Sequence, residues 1–305
     1  MKRIMITGVT GFIGRALAGE AVARGCAVFG IGSDSGAGKM PAGLANEAAL
    51  RLPDAELVRL VGEFQPEILF HCAGSALPAK SLKLPDDDFH SSVPVVQGVL
   101  EAIRLSAPAA HLVCLSSAAV YGDPVTLPVS EDARPSPLSP YGFHKWMGEL
   151  LCQEYAVVYG IRSTSARIFS AYGPGLQKQL LWDAIGKLKG RDEAVFLGSG
   201  EETRDFIFIK DLVNALFCLA DKSSSGHDVV NVATGIEVRI ADVVATVARH
   251  LGVDSSRWSF SGEVTQGIPS HWRADISRLR ACGFEPQCSF DEGVRLTVTS
   301  APVHG

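Results

Sequence analysis

Tyr141 and Lys145 stand four residues apart in Ser139-Pro140-Tyr141-Gly142-Phe143-His144-Lys145, and Ser117 closes the apolar run His111-Leu112-Val113-Cys114-Leu115-Ser116-Ser117. A phenol with an ordinary pKa of about 10 is a poor acid or base near neutrality unless something favours its phenolate. An ammonium one helical turn away does so, because residues at i and i+4 lie on one face of a helix. On this reading Tyr141 passes a proton to or from a substrate oxygen. Lys145 lowers the phenol's pKa and grips a ribose, and Ser117 holds the same oxygen by hydrogen bonding. This is chemistry at a carbinol or carbonyl carbon. The competing reading is a helix that carries an ordinary tyrosine and lysine, and the surrounding elements must decide between the two.

At the start of the chain the apolar run Arg3-Ile4-Met5-Ile6-Thr7 leads into Gly8-Val9-Thr10-Gly11-Phe12-Ile13-Gly14, after which Leu17, Ala18, Ala21 and Val22 recur at helical spacing. Strand, glycine turn and helix together form a dinucleotide-binding fingerprint. The glycines permit a tight turn and close approach of the backbone to a pyrophosphate, which the helix N-terminus then holds. Apolar β-type runs recur at 3–7, 27–31, 67–72, 111–116 and 163–168, separated by helical periodicity at 54–64, 89–105 and 141–159. Strands apolar on both faces that alternate with helices predict an α/β fold with a doubly wound parallel (Rossmann) sheet. Its ligands sit at the carboxyl ends of the strands, where Gly8, Ala73 and Ser117 fall.

Seven ordered blocks carry a resemblance over nearly the whole chain: the glycine turn, His71-Cys72-Ala73-Gly74, Leu115 to Gly122, Tyr141 to Lys145, Arg167 to Pro174, Thr203 to Leu212, and Asn231 to Gly235, with Ala274-Asp275-Ile276-Ser277 beyond them. The chain resembles the extended short-chain dehydrogenase/reductase family, in its nucleotide-sugar branch of epimerases, dehydratases and ketoreductases. The resemblance implies catalysis by Ser117, Tyr141 and Lys145. It implies an NAD(P) cofactor held by Gly8, Thr10, Gly11, Phe12, Ile13, Gly14, Gly32, Ser33, Ala73 and Gly74, with Tyr141 and Lys145 at its ribose. It also implies a nucleoside-diphosphate sugar as substrate, with Arg204, Ser170 and Lys178 on the substrate side. Arg204 matches a family arginine that binds nucleotide phosphate, a task its planar fork suits. For Lys178 and Arg273 a plain surface charge is the competing reading.

Departures from the family pattern shape the expected reaction. NAD-using members carry an aspartate at the end of the second strand, where this chain has Gly32. Without that charge, Ser33, Lys39 or Arg15 could approach a 2′-phosphate, although Asp34 could take the ribose role. The missing acid leans the expectation to NADP(H). It therefore leans the reaction to a 4-ketoreductase, with a nucleotide-sugar 4-epimerase as the alternative and a non-catalytic dinucleotide-binding regulator as a remote one. Two acids follow the hydroxyl residue in 4,6-dehydratases. Here those positions are Ala118 and Ala119, and a methyl group cannot transfer a proton. Ser92 and Ser170 stand where related epimerases generally have asparagine, so each offers a shorter reach and fewer donors. His71, at a strand end, and His144, beside the catalytic pair, read as structural.

Composition agrees with an enzyme acting on a small molecule. A net charge of −5 without a block of basic residues argues against nucleic acid or an acidic membrane as partner. The seven cysteines include no Cys-x-x-Cys pair and read as buried thiols of a reducing compartment, not as metal ligands. The apolar start stops at Thr7-Gly8, too soon for a signal peptide, so a soluble cytoplasmic protein is expected, assembled as a homodimer. The expected division is a dinucleotide-binding domain at 1–168, to which 206–235 returns, and a smaller C-terminal α/β substrate lobe from 169–205 and 236–305. Asp123 to Pro140, with five prolines, reads as a surface loop leading into a helix that begins at Ser139-Pro140.

Overall fold

A computed structural model of the chain describes residues 1–33, 40–190, 193–222, 225–263 and 269–301. Six strands come first: β1 (Arg3–Thr7), β2 (Ala27–Gly32), β3 (Asn46–Ala49), β4 (Ile68–His71), β5 (His111–Ser117) and β6 (Ser163–Ile168). They are followed by β7 (Ser170–Tyr172), β8 (Ala194–Phe196), β9 (Thr203–Phe208), β10 (His227–Val232), β11 (Glu237–Arg239) and β12 (Trp258–Phe260). The main sheet runs β3-β2-β1-β4-β5-β6-β10, and every pairing in it is parallel. Strand order reverses at β1. The doubly wound expectation holds, and the crevice of such a sheet opens beyond the carboxyl ends of β1 and β4, where the order reverses.

Alternation along each strand sorts side chains to two cores. Ile4 and Ile6 of β1 face one side with Val28, Phe70 and Val113, while Met5 faces the other with Phe29, Leu69 and Leu112. Helix α1 (Phe12–Ala23) packs Leu17, Ala18 and Ala21 into the first core. The opposite core is covered by α2 (Glu56–Phe64) through Leu57, Leu60 and Val61. Two short helices follow, α3 (Pro78–Ser81) and α4 (Pro85–His90), then α5 (Val93–Ser106) and α6 (Pro140–Tyr159), which also cover that second face. The remaining helices are α7 (Gln179–Lys189), α8 (Ile209–Asp221), α9 (Ile240–Leu251), α10 (Ser277–Arg280) and α11 (Phe290–Ser300). Helix α8 lies with α1 over the first core.

Beyond β6 the chain builds a three-stranded sheet, β11-β9-β7, and a two-stranded one, β12-β8. Strand β10 pairs with β6 in the main sheet, with Val232 opposite Ile168. No helix among the described residues is long and apolar enough to cross a membrane.

Three local expectations need correction. Strand β3 has no apolar run to announce it. Its residues Asn46 to Ala49 are mostly exposed at a sheet edge, where backbone pairing with β2 suffices. The periodicity at 89–105 is two helices, because the chain turns at Ser91 and Ser92 before Pro94 starts α5. The proline-rich segment is only partly a surface loop. Val129 and Glu131 are buried, and the Val129 backbone exchanges hydrogen bonds with Arg273 and Asp275, a distant stretch of chain that covers it.

Candidate active site

Gly8 follows β1 with φ +69, a left-handed conformation, and a Cβ there would meet the Ala73 nitrogen at 2.7 Å. Gly14 packs so closely on the Gly8 carbonyl that a side chain would overlap it. Helix α1 then starts with no side-chain cap and no acid in its first turn, so its free N–H groups and positive dipole end face the crevice uncompensated. This cradle of backbone fits a dinucleotide pyrophosphate. On the far side of the crevice Thr7 Oγ1 lies 2.7 Å from His71 Nδ1 and 3.4 Å from the Ala73 nitrogen, fixing the ends of β1 and β4 to each other. Burial and the Lys145 charge push the His71 imidazole down to about 3, so the ring stays neutral and structural, as expected.

Helix α6 is positioned from both ends. Pro140 opens it, the Ser139 hydroxyl accepts from the Gly142 nitrogen at 3.3 Å, and Gly160 closes it in a left-handed cap. A second cap comes from far upstream. The buried Ser81 hydroxyl accepts the Tyr141 N–H at 3.1 Å and donates to the Pro78 carbonyl at 2.7 Å. The Tyr141 backbone is thereby clamped to α3. His144 Nδ1 sits 2.6 Å from Asp88 Oδ2, tying α4 to the same helix; this structural role matches its reading from sequence.

The triplet converges at the end of β5. Lys145 Nζ donates to the Leu115 carbonyl at 3.0 Å and lies 5.7 Å from the centre of the Tyr141 ring. Two ammonium protons remain for a ligand. Ser117 is the last residue of β5, and its hydroxyl accepts from the Ala119 nitrogen at 3.2 Å, leaving its proton free to donate. Tyr141 is buried. A crevice between β4, β5, α5 and α6 is lined by His71, Ala73, Ser92, Cys114, His144 and Lys145. There the buried Ser92 hydroxyl has no partner among the described residues, a polar atom left for something outside the chain.

Beneath the triplet lies a polar support that sequence reasoning missed. Glu149, one turn beyond Lys145, receives Ser116 Oγ at 2.6 Å and the Arg167 guanidinium at 2.9 and 2.7 Å. The Arg167 plane stacks on Tyr121, whose hydroxyl donates to Asn231 Oδ1 at 2.6 Å. The only hint of it was spacing: Glu149 follows Lys145 by the interval that separates Lys145 from Tyr141.

The residues expected on the substrate side lie on other elements. Arg204, half-buried on β9, donates among the described residues to the Thr203 and Ser270 carbonyls, at 2.6 and 3.3 Å, and stacks on Trp272. Among the described residues no carboxylate pairs with it, and burial pushes its guanidinium below its ordinary range. A cation held this way is ready for an anion. Its neighbour Asp205 is the staple that aligns β9. Its two oxygens accept from the Thr234 nitrogen and hydroxyl, both at 2.8 Å, from Gly235 at 2.9 Å and from Ala274 at 3.2 Å. Ser170 opens β7 opposite Phe206. Lys178 precedes α7, its ammonium lowered by burial alone. Gly32 and Ser33 close β2, while Asp34 and Lys39 lie outside the described residues.

A parallel sheet with its pyrophosphate cradle at β1 and a tyrosine–lysine pair at β5 defines a dinucleotide-dependent enzyme acting on a hydroxyl or carbonyl carbon. Comparison with known proteins gives the family: the profile described as "NAD dependent epimerase/dehydratase family" matches residues 4–233, and the chain belongs to that family. A UDP-glucose 4-epimerase from Mycolicibacterium smegmatis is 30% identical over 308 residues, covering 97% of each chain. Among solved structures, MoeE5 in complex with UDP-glucose and NAD is 27% identical with a TM-score of 0.87, covering 98% of both chains. The UDP-N-acetylglucosamine 4-epimerase from Methanobrevibacter ruminantium M1, in complex with UDP-N-acetylmuramic acid, is 26% identical with a TM-score of 0.89 over 98% of this chain and 97% of that one.

Proposed function

We propose that this protein is a 4-epimerase of a UDP-hexose that retains NAD through each turnover. The observation that carries the chemistry is the geometry at the end of β5, where Lys145 Nζ donates to the Leu115 carbonyl at 3.0 Å and lies 5.7 Å from the centre of the Tyr141 ring. End-to-end likeness to a 4-epimerase and to structures holding UDP-sugars and NAD supports the substrate class and cofactor. The named relative with a dinucleotide holds NAD, which lends NADP no support, and the ketoreductase reading rested on NADP.

In this reading Tyr141, as phenolate, accepts the proton of the sugar 4-hydroxyl while Ser117 donates a hydrogen bond to the same oxygen. A bound NAD supplies hydride acceptance and return at the sugar carbon. Lys145, with two ammonium protons left beyond its bond to the Leu115 carbonyl, holds the ribose. The 4-keto sugar turns over and Tyr141 returns the proton to the opposite epimer. Arg204 holds the diphosphate, which leaves the hexose free to rotate about its anchor, with Ser170 and Lys178 on the same side. Ala118 and Ala119 offer no acid to eliminate water, so 4,6-dehydration is not part of the cycle.

We further infer a homodimer. Phe143, Met147, Leu150 and Val157 are exposed on α6 at spacings that place them along one face, which a second copy would cover. Sedimentation would give a monomer if that is wrong. Seven free thiols support a reducing, cytoplasmic location. The decisive assay incubates the protein with UDP-glucose, UDP-galactose, UDP-N-acetylglucosamine and UDP-glucuronate. It follows the sugars by NMR and the nicotinamide by absorbance. Interconversion of 4-epimers without net change in reduced cofactor is expected. Stoichiometric oxidation of NADPH against a 4-keto sugar would establish the reductase instead.

A further inference from the structure

Residue 32 ends β2, the place from which a carboxylate hydrogen-bonds the adenosine ribose of a dinucleotide about 20 residues past the glycine turn. In this chain it is glycine, and the volume a side chain would need is already filled. A Cβ built on Gly32 would stand 2.7 Å from Thr10 Cγ2, 3.2 Å from Met40 Cε and 3.3 Å from Thr10 Oγ1. Carbon atoms in good contact sit about 3.5 to 4.0 Å apart, so the first of these approaches is a clash. The Thr10 backbone is held in place. It belongs to the turn closed by the Gly11 N–H on the Gly8 carbonyl at 3.0 Å, and its own carbonyl accepts from Arg15 Nη2 at 3.5 Å. Among the described residues its hydroxyl has no hydrogen-bond partner.

We propose that Thr10 reads the adenosine ribose in this chain. Its hydroxyl replaces the missing carboxylate, and its methyl group, with Met40, closes the end of β2 to any side chain at position 32. The inference rests on the dinucleotide-dependent reading above and deepens it. A hydroxyl both donates and accepts and carries no charge. It therefore binds a free 2′-hydroxyl without repelling a 2′-phosphate, so discrimination between NAD and NADP is modest, within about tenfold.

Calorimetric titration of the intact protein with NAD⁺ and NADP⁺ tests this, using wild type, Thr10→Ser, Thr10→Val, Gly32→Asp and the double variant Thr10→Ala/Gly32→Asp. Thr10→Val should weaken NAD⁺ binding by about fivefold to tenfold, the worth of one hydrogen bond, while Thr10→Ser stays near wild type. Gly32→Asp alone should lose affinity for both dinucleotides. The double variant, with room for the carboxylate, should regain NAD⁺ and reject NADP⁺. A Thr10→Val protein that binds NAD⁺ like wild type overturns the proposal, as does a gain of NAD⁺ affinity in Gly32→Asp alone. Should Gly32→Asp fail to fold, the Val against Ser comparison decides by itself. Wild type that binds neither dinucleotide overturns the reading of the whole site, whereas wild type that binds while Thr10→Val is silent removes this inference only.

Discussion

In the proposed mechanism Tyr141 and Lys145 divide one task, and substitutions should separate their shares. Tyr141→Phe removes the proton carrier but leaves the cradle at β1 untouched. Turnover should fall by about 100-fold or more, the usual worth of general acid–base catalysis, with little change in dinucleotide affinity by titration. Near-normal turnover would take Tyr141 out of the mechanism. Lys145 has two partners, the Leu115 carbonyl and the Tyr141 ring. Lys145→Met should therefore weaken dinucleotide binding and lower turnover together. Unchanged dinucleotide affinity by titration would mean that Lys145 does not hold the ribose.

At the scale of elements the site depends on how strands and helices are pinned to one another. Helix α6 is set by two serine caps, one of them Ser81 on α3, so the segment after β4 helps to fix the Tyr141 backbone. Strand β9, which carries Arg204, is set by Asp205. Four donors converge on that buried carboxylate, and an amide in its place would turn an NH₂ group toward some of them. Asp205→Asn should therefore cost about 1 to 3 kcal/mol of stability and raise KM for the nucleotide sugar more than it lowers kcat. Urea unfolding together with steady-state kinetics checks both, and an unchanged KM would disconnect Asp205 from the substrate side.

The whole molecule should lose stability in acid through histidines that it buries neutral. His111 Nδ1 donates to the Ala220 carbonyl at 3.2 Å, so its Nε2, 2.9 Å from Thr164 Oγ1, accepts. Burial pushes His111 down to about 4 and His71 to about 3 from an ordinary 6.5. The unfolded chain takes up these protons near pH 6.5 and the folded chain resists until far lower. Stability is thus full above about 6.5 and declines as pH falls toward 4, by about 3 kcal/mol from His111 alone. Urea midpoints measured from pH 7 to 4 should fall steadily, and less steeply in His111→Gln. Equal slopes for the two proteins would exclude His111 as a source.

The sequence by itself determined what is local or periodic. Alternating strand and helix patterns predicted the doubly wound sheet, the glycine spacing located the tight turn between β1 and α1, and the four-residue interval placed Tyr141 and Lys145 on one helix face. Such features are written in consecutive residues, so spacing alone reveals them. Tertiary structure decided everything that joins distant segments. Ser81 caps a helix 60 residues away, Arg167 meets Glu149 across two elements, and Asp205 gathers donors from Thr234, Gly235 and Ala274. Strand β3 exists because β2 offers an edge, not because Asn46 to Ala49 favour a strand. The same limit governs Gly32. From sequence it was a missing charge, whereas the fold shows Thr10 and Met40 packed where that charge would stand, a contact between residues that no spacing rule brings together.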